Sequence, residues 1–184
     1  APYGEPKFLS ELRQIVQQKS EGRYELNLSF FLHHRKRIRF EWENGCPTYS
    51  DLFEEKSLEK LLGINRRIKG EPIESVHKDL AHSVQAIYEE MFFHLLKHVH
   101  HCTGQVRLSL AGGCAMNSVA NGKILKNSQF SELYVQPAAG DAGGAIGAAF
   151  ELARKLDMKL YSVKMPHAYW GPEFGQIEIA KLLE

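Results

Sequence analysis

From Ile73 to Cys102 an apolar residue recurs every three or four positions, at Val76, Leu80, Val84, Tyr88, Met91, Leu95 and Val99. That spacing marks one face of an α-helix, and at 1.5 Å per residue the rod runs for about eight turns and roughly 45 Å. Gly104 comes next as its stop. In a chain of 184 residues, one domain's worth by the usual prior of about 100–200 residues, every other element has to be arranged along or beside that rod.

Beyond the helix the elements alternate in type. Val106-Arg107-Leu108-Ser109-Leu110-Ala111 reads as a buried strand, Gly112-Gly113 as a sharp turn and Ala115 to Lys126 as a helix. Leu133-Tyr134-Val135 is a second short strand, Pro137 to Gly140 a loop, and Asp141 to Leu156 a helix crowded with Gly143, Gly144, Gly147, Ala148 and Ala149. The alternation predicts an α/β domain with some parallel pairing, its mixed sheet flanked by helices.

Ahead of the rod the pattern is less regular. Phe8, Leu9, Leu12, Ile15 and Val16 predict an amphipathic helix over 7–19, stopped near Gly22. Tyr24, Leu26 and Leu28, and then Ile38, Phe40 and Trp42, alternate with polar residues, which predicts two strands joined by an exposed basic turn, His33 to Arg37. Residues 45–72, punctuated by Gly45, Pro47, Gly63, Gly70 and Pro72, read as a surface excursion with a short helix from Asp51 to Leu62.

Composition excludes several classes. Hydrophobic residues at 43%, charged residues at 24% and a mean hydropathy of −0.33 belong to a globular chain able to bury a core. Lys and Arg number 23 against 22 Asp and Glu, a net charge of +1, which argues against nucleic acid or an anionic membrane as a partner held by bulk charge. No apolar run approaches the ~18 residues of a membrane span. Cys46, Cys102 and Cys114 are too few and too unevenly spaced for a disulfide framework or a zinc site, which suits a reducing cytoplasm.

Two glycine turns carry the chemistry. At Leu110-Ala111-Gly112-Gly113-Cys114 a hydrophobic strand enters a double glycine and then a helix, where the backbone can come close to a ligand and amide groups face an anion. A plain strand-to-helix turn is the alternative. At Ala139-Gly140-Asp141-Ala142-Gly143-Gly144 an acid stands between glycines at a helix entrance. Asp141 is either a cap or a cation ligand, and the bare first turns of the helix favour the ligand.

The segments LAGGCAMNSVANGKI and VQPAAGDAGGAIGAA, with Met165 to Pro172, resemble the carbamoyltransferases of the NodU/CmcH type within the actin-like ATPase superfamily. The opening Ala1-Pro2-Tyr3-Gly4 and His77-Lys78-Asp79-Leu80-Ala81-His82-Ser83-Val84-Gln85 match family segments too, and the likeness is weakest over 30–72. Cys114 and Met116 stand where the family usually has Val and Leu. A more distant likeness is to the transferases that threonylcarbamoylate tRNA.

The resemblance implies a fold and a reaction. Residues 1–165 would be the second lobe of an actin-like, ribonuclease H-like catalytic domain, with 30–72 an insertion, and 166–184 would begin the linker to a carboxy-terminal domain. Such enzymes move a carbamoyl group from carbamoyl phosphate to a hydroxyl of a small natural product, through a carbamoyl-adenylate made from ATP. Gly112, Gly113 and Gly140 would approach the adenylate, Asn117 would give a polar contact, and Asp141 would hold a divalent metal of iron or magnesium type. The other metal ligands of the family lie in an HxxxH pair of an upstream half. The start at Ala1 without Met reads as a cut edge, so the chain by itself is expected to be inactive. No catalytic residue is assigned. A tRNA threonylcarbamoyl transferase-like protein and a non-enzymatic nucleotide-binding module are the alternatives.

Rival constellations are weaker. His94, His98 and His101 stand on one side of the long helix at metal-binding spacing, but no acid accompanies them and a half-exposed polar edge is favoured. The basic run His33 to Arg37 with Arg39 reads as a solvated turn tip. Cys114 lacks a neighbouring sequence cue for a base that would make it a nucleophile, and Asp79 reads as a capping or packing residue rather than a group facing a cleft.

Overall fold

A computed structural model describes residues 3–37, 40–49, 52–159, 165, 167–169 and 171–183. Ala1, Pro2, Ile38, Arg39, Asp51, Pro166 and Trp170, which enter the sequence reading, lie outside the described residues. In chain order the elements are α1 (Leu9–Ile15), β1 (Val16–Gln18), β2 (Tyr24–Leu26), β3 (Phe40–Glu43), β4 (Cys46–Tyr49), α2 (Glu55–Leu62) and α3 (Ser75–Thr103). Then come β5 (Arg107–Leu110), α4 (Ser118–Asn121), α5 (Ile124–Asn127), β6 (Glu132–Val135), α6 (Asp141–Lys155) and α7 (Gln176–Leu183). The architecture is mixed α/β, with small sheets flanked by helices. Among the described residues the strands form three two-stranded sheets rather than one mixed sheet, and no helix is long and apolar enough to cross a membrane.

The chain divides into two compact units, Ala1–Val106 with Lys123–Phe130, and Arg107–Gly122 with Ser131–Glu184. In the first unit the helix expected over 7–19 stops at Ile15, because Val16–Gln18 leave it as a strand and pair antiparallel with Tyr24–Leu26. Gly22 sits in the turn between them at φ +69°, where a side chain would strike His98. The second correction concerns strand partners. Leu28–Phe30 is a 3-10 turn whose start is capped by Asn27, so β2 does not run on to face β3. Instead β3 turns back onto β4 in the register Phe40↔Tyr49, through Asn44 and Gly45 at φ 51° and 77°. An Asn-Gly pair with both φ values positive is the favoured tight hairpin connection, and it overrides the alternation on which the expected pairing rests.

Leu12, Ile15 and Ile87 form the buried centre of this unit, with Phe8, Phe30 and Leu80 packed on it. Leu58, Leu61 and Leu62 of α2, inside the span expected to be a surface excursion, pack on it as well. The long helix is present as expected and ends at Gly104, in the left-handed conformation at φ 63°, whose amide donates to the His100 carbonyl at 2.8 Å. Its buried stripe differs from the predicted one. Asp79, Ser83, Ile87, Met91 and Leu96 face inward, while Val84 and Leu95 are exposed. Two polar residues displace apolar ones because the segment ahead of α1 supplies their hydrogen-bond partners.

Those partners are specific. Asp79 accepts the Glu5 amide on Oδ1 at 2.7 Å and the Lys7 ammonium on Oδ2 at 2.7 Å. Ser83, with no exposed surface, accepts the Phe8 amide at 3.0 Å and donates to the Asp79 carbonyl at 2.7 Å. His82 Nδ1 lies 2.8 Å from the Gly4 carbonyl. Residues 123–130 complete this unit: Ile124 is fully buried and Phe130 nearly so, His100 meets the Phe130 ring edge-on at 5.7 Å, and Lys123 reaches Glu89 at 2.6 Å.

In the second unit β5 and β6 pair in parallel, Arg107↔Glu132 through Leu110↔Val135. The strand expected to be buried instead alternates exposed and half-buried residues. The helix expected over 115–126 is broken into a 3-10 turn at Gly113–Met116 and the short helices α4 and α5. Asn117 explains the break, because its Oδ1 takes the Ala120 amide at 3.1 Å and starts a new helix there. Helix α7 occupies a stretch for which the residue pattern predicts no element.

Candidate functional site

The two glycine turns meet within the second unit. Parallel pairing carries β5 and β6 to the same end, and the Gln136 amide extends the ladder by donating to the Leu110 carbonyl at 3.1 Å. Two residues beyond Leu110, the Gly112 amide donates to the Ala139 carbonyl at 2.7 Å. The loop before α6 is thus fastened to the turn after β5. Gly112 holds φ +96°, in a region that a residue with a Cβ enters only at a cost. A Cβ on Gly140 would rest 3.4 Å from the Met116 methyl, so Met116 is the side chain against the second turn.

The glycines of these turns serve different ends. A Cβ on Gly143 would press into the Ala138 carbonyl oxygen, so that glycine lets the helix start tightly against its own loop. Around Gly112, Gly113, Gly144 and Gly147 a Cβ would meet nothing within 4 Å. Among the described residues Gly112 and Gly113 are thus open on the glycine side, and Gly144 and Gly147 weaken α6 by about 1 kcal/mol each relative to alanine with nothing packed against them.

Asp141 is the first residue of α6 and exposed, and Gly140 before it provides no side-chain cap. Its carboxylate stands at the helix amino terminus and is of the donor type that a hard cation takes. Among the described residues no group of three or more His, Cys, Asp or Glu is arranged to hold a metal ion. Asp141 could give such an ion one carboxylate oxygen. Asn117 sits at the end of the 3-10 turn with its Oδ1 engaged on Ala120. Nearby in sequence, Asn121 donates to the Ala115 carbonyl at 2.7 Å and leaves its own Oδ1 buried without a partner among the described residues.

The rival constellations take structural places. His94 receives Gln18 Nε2 on Nδ1 at 2.9 Å and donates from Nε2 to the Lys19 carbonyl at 2.7 Å, which uses both ring nitrogens of the neutral imidazole. His98 lies beside Cys102, with Sγ 3.4 Å from Nε2, and His101 is exposed. The run His33 to Arg37 is an exposed turn, and Cys46, Cys102 and Cys114 are exposed thiols outside any disulfide. Asp79 lies inside α3, five residues beyond the cap at Glu74, and serves the packing of the chain's first residues. Ala139 and Met116 carry no signal in the sequence, since the first acts through its backbone and the second through an ordinary apolar side chain.

A mixed α/β protein that ties a strand–Gly-Gly turn to a Gly-Asp helix entrance is the class these features define. A family model for the carbamoyltransferase N-terminus matches residues 1–150. The chain belongs to the carbamoyltransferase family. It is 34% identical to the uncharacterized protein sll1178 of Synechocystis sp. over 189 residues, which cover all of this chain and 28% of that relative. It is 44% identical over 115 residues to the nodulation protein NolNO of Sinorhizobium fredii, covering 62% of this chain and 17% of NolNO. With the nodulation protein NolO of Bradyrhizobium diazoefficiens it shares 41% identity over 122 residues, 66% of this chain and 22% of NolO. The chain thus spans at most 28% of the length of these curated relatives.

Proposed function

We propose that the chain is the second lobe of an actin-like catalytic domain, over 1–165, in an enzyme that transfers a carbamoyl group from carbamoyl phosphate to the hydroxyl of a small acceptor. ATP is consumed on the way, in forming a carbamoyl-adenylate, and residues 166–184 lead toward a further domain. Membership of the family supports the transfer chemistry. The observation that carries the site is the Gly112–Ala139 hydrogen bond, which fixes the backbone of both glycine turns at one place.

In this reading Gly112 and Gly113 offer backbone to the adenylate, because among the described residues no side chain stands against them, and Gly140 offers its backbone beside the Met116 side chain. Asn117 orders the turn after them through its cap on α4 and contributes its remaining polarity. Asp141 gives one carboxylate to a divalent metal, which when bound offsets phosphate charge. The chain's own share is positional and electrostatic: fixed amides and one fixed carboxylate that need no rearrangement when charge develops.

The test uses a protein that carries this chain together with the remaining lobe and domain of its enzyme. Pyrophosphate release is expected to require both ATP and carbamoyl phosphate, and Asp141→Ala is expected to abolish it while the circular dichroism spectrum stays unchanged. Release that ignores carbamoyl phosphate, or full activity in the variant, would overturn the reading. The chain by itself is expected to bind ATP and a divalent metal weakly or not at all by calorimetry.

A further inference from the structure

The first unit holds a cavity of about 660 Å³ that the proposed carbamoyl transfer does not use. Its apolar wall is built by Leu52, Phe53, Leu58, Leu62, Ile64 and Leu80, from α2, the start of α3 and the loops beside them. A cavity of this size and lining suits a small molecule with an apolar body, oriented by a few polar groups.

The polar groups on its wall are unequal. Glu55 and Glu59 are both engaged by Arg66, whose guanidinium lies 3.5 Å from Glu55 Oε2 and whose amide donates to Glu59 Oε1 at 3.0 Å. Arg67 has no such carboxylate. Among the described residues its guanidinium makes one hydrogen bond, from Nη1 to the Glu71 carbonyl at 2.7 Å, and no ion pair. Glu71 turns its own carboxylate to the Ile68 amide at 2.8 Å, while its amide returns to the Ile68 carbonyl at 3.1 Å. The rim loop is therefore held closed by its own hydrogen bonds, and it presents a guanidinium with most of its donors unspent beside an apolar wall.

His77 adds a neutral donor. Its Nδ1 accepts the Glu74 amide at 3.0 Å as part of the cap of α3, which puts the ring proton on Nε2. The wall thus offers donors at Arg67 and His77, and its two carboxylates face Arg66, Glu55 across 3.5 Å to the guanidinium and Glu59 by accepting the amide, so Arg67 is the cation of the wall without a carboxylate among the described residues. A planar guanidinium pairs best with a carboxylate.

We propose that this cavity binds an amphipathic carboxylate, its apolar body against Leu58, Leu62 and Leu80 and its carboxyl group on the Arg67 guanidinium. The site is built from first-unit residues alone and does not require the carbamoyl-transfer reading.

The experiment is calorimetry on the purified protein with 1-naphthaleneacetate and with its neutral amide as probes. The carboxylate is expected to bind saturably with one site, and about tenfold more tightly than the amide, the factor that a charge-assisted hydrogen bond supplies. Arg67→Gln, a change at an exposed position, is expected to leave the melting temperature unchanged and to bring the two probes to equal affinity. Leu62→Trp, which fills the cavity, is expected to weaken both probes alike. Absence of saturable binding to the unaltered protein would overturn the proposal, and so would a preference for the carboxylate that survives Arg67→Gln in a folded variant.

Discussion

The amide of Gly112 donates to the carbonyl of Ala139 across 2.7 Å, and this one bond joins two turns separated by a crossover of two short helices. Both partners are backbone groups, so side-chain identity matters only through what it permits the main chain to do. Gly112 permits a φ of +96°. Ala139 is small enough to be buried at the junction.

Neighbouring glycines of the first turn should respond differently to alanine. Gly112→Ala forces a side chain into the left-handed region and is expected to cost about 1–3 kcal/mol of stability, measured by denaturant unfolding. Gly113→Ala places its Cβ in open space without a positive φ, so stability is expected to stay within about 0.5 kcal/mol. If the turn receives a nucleotide in the larger enzyme, Gly113→Ala raises the KM for ATP sharply even so. An unchanged KM would remove Gly113 from the site.

At the second turn the strongest effect belongs to Gly143. Its alanine variant meets the Ala138 carbonyl, and overpacking against backbone costs about 1–3 kcal/mol. Gly144→Ala should instead stabilise α6 by up to about 1 kcal/mol through helix propensity. Thermal melts of the two variants should therefore move in opposite directions.

Ser83→Ala removes the acceptor of the Phe8 amide within a fully buried contact. Leaving that donor unsatisfied is expected to cost about 1–3 kcal/mol. Hydrogen exchange should show the loss locally, as faster exchange at residues 5–9 with the carboxy-terminal half of α3 unaffected.

Acid should loosen the same contact. The Lys7 ammonium, and after it the Glu5 amide, hold the Asp79 carboxyl below its ordinary value. A depressed native value means that the ion pair contributes fully above the unfolded carboxylate range near ~3.9 and is lost as pH falls through the native value. Asp79→Asn keeps an acceptor for Glu5 without titrating. Its melting temperature is expected to be lower than that of the unaltered protein at pH 7, with the gap closing as pH drops below ~4. A gap that is constant over that range would show that the charge on Asp79 contributes nothing.

Much of this molecule is legible in the residue pattern where a local rule governs. The rod of α3 comes from spacing repeated over many turns, its end from Gly104, and α6 from a run that opens at Asp141. The parallel order of β5 and β6 comes from the alternation of types after residue 104. The two turns on which the proposed site rests are marked in the sequence too, by Gly112, Gly113, Gly140 and Asp141, because glycine permits backbone conformations and close approaches that other residues resist. Where two local rules compete, as alternation and turn chemistry do around Asn44-Gly45, the turn wins.

Tertiary structure decided the rest, through partners that lie outside the element concerned. Val16–Gln18 became a strand because Tyr24–Leu26 returned to pair with it. Asp79 and Ser83 took inward places on α3 because residues 5–8 brought amides and an ammonium to them, and burial of polar groups is tolerated only when such partners arrive. The chain's sequence determined that two glycine turns and a long amphipathic helix would exist. Only the folded chain determined that Gly112 would find Ala139, since a hydrogen bond between two main-chain groups leaves no mark on the side chains that a sequence records.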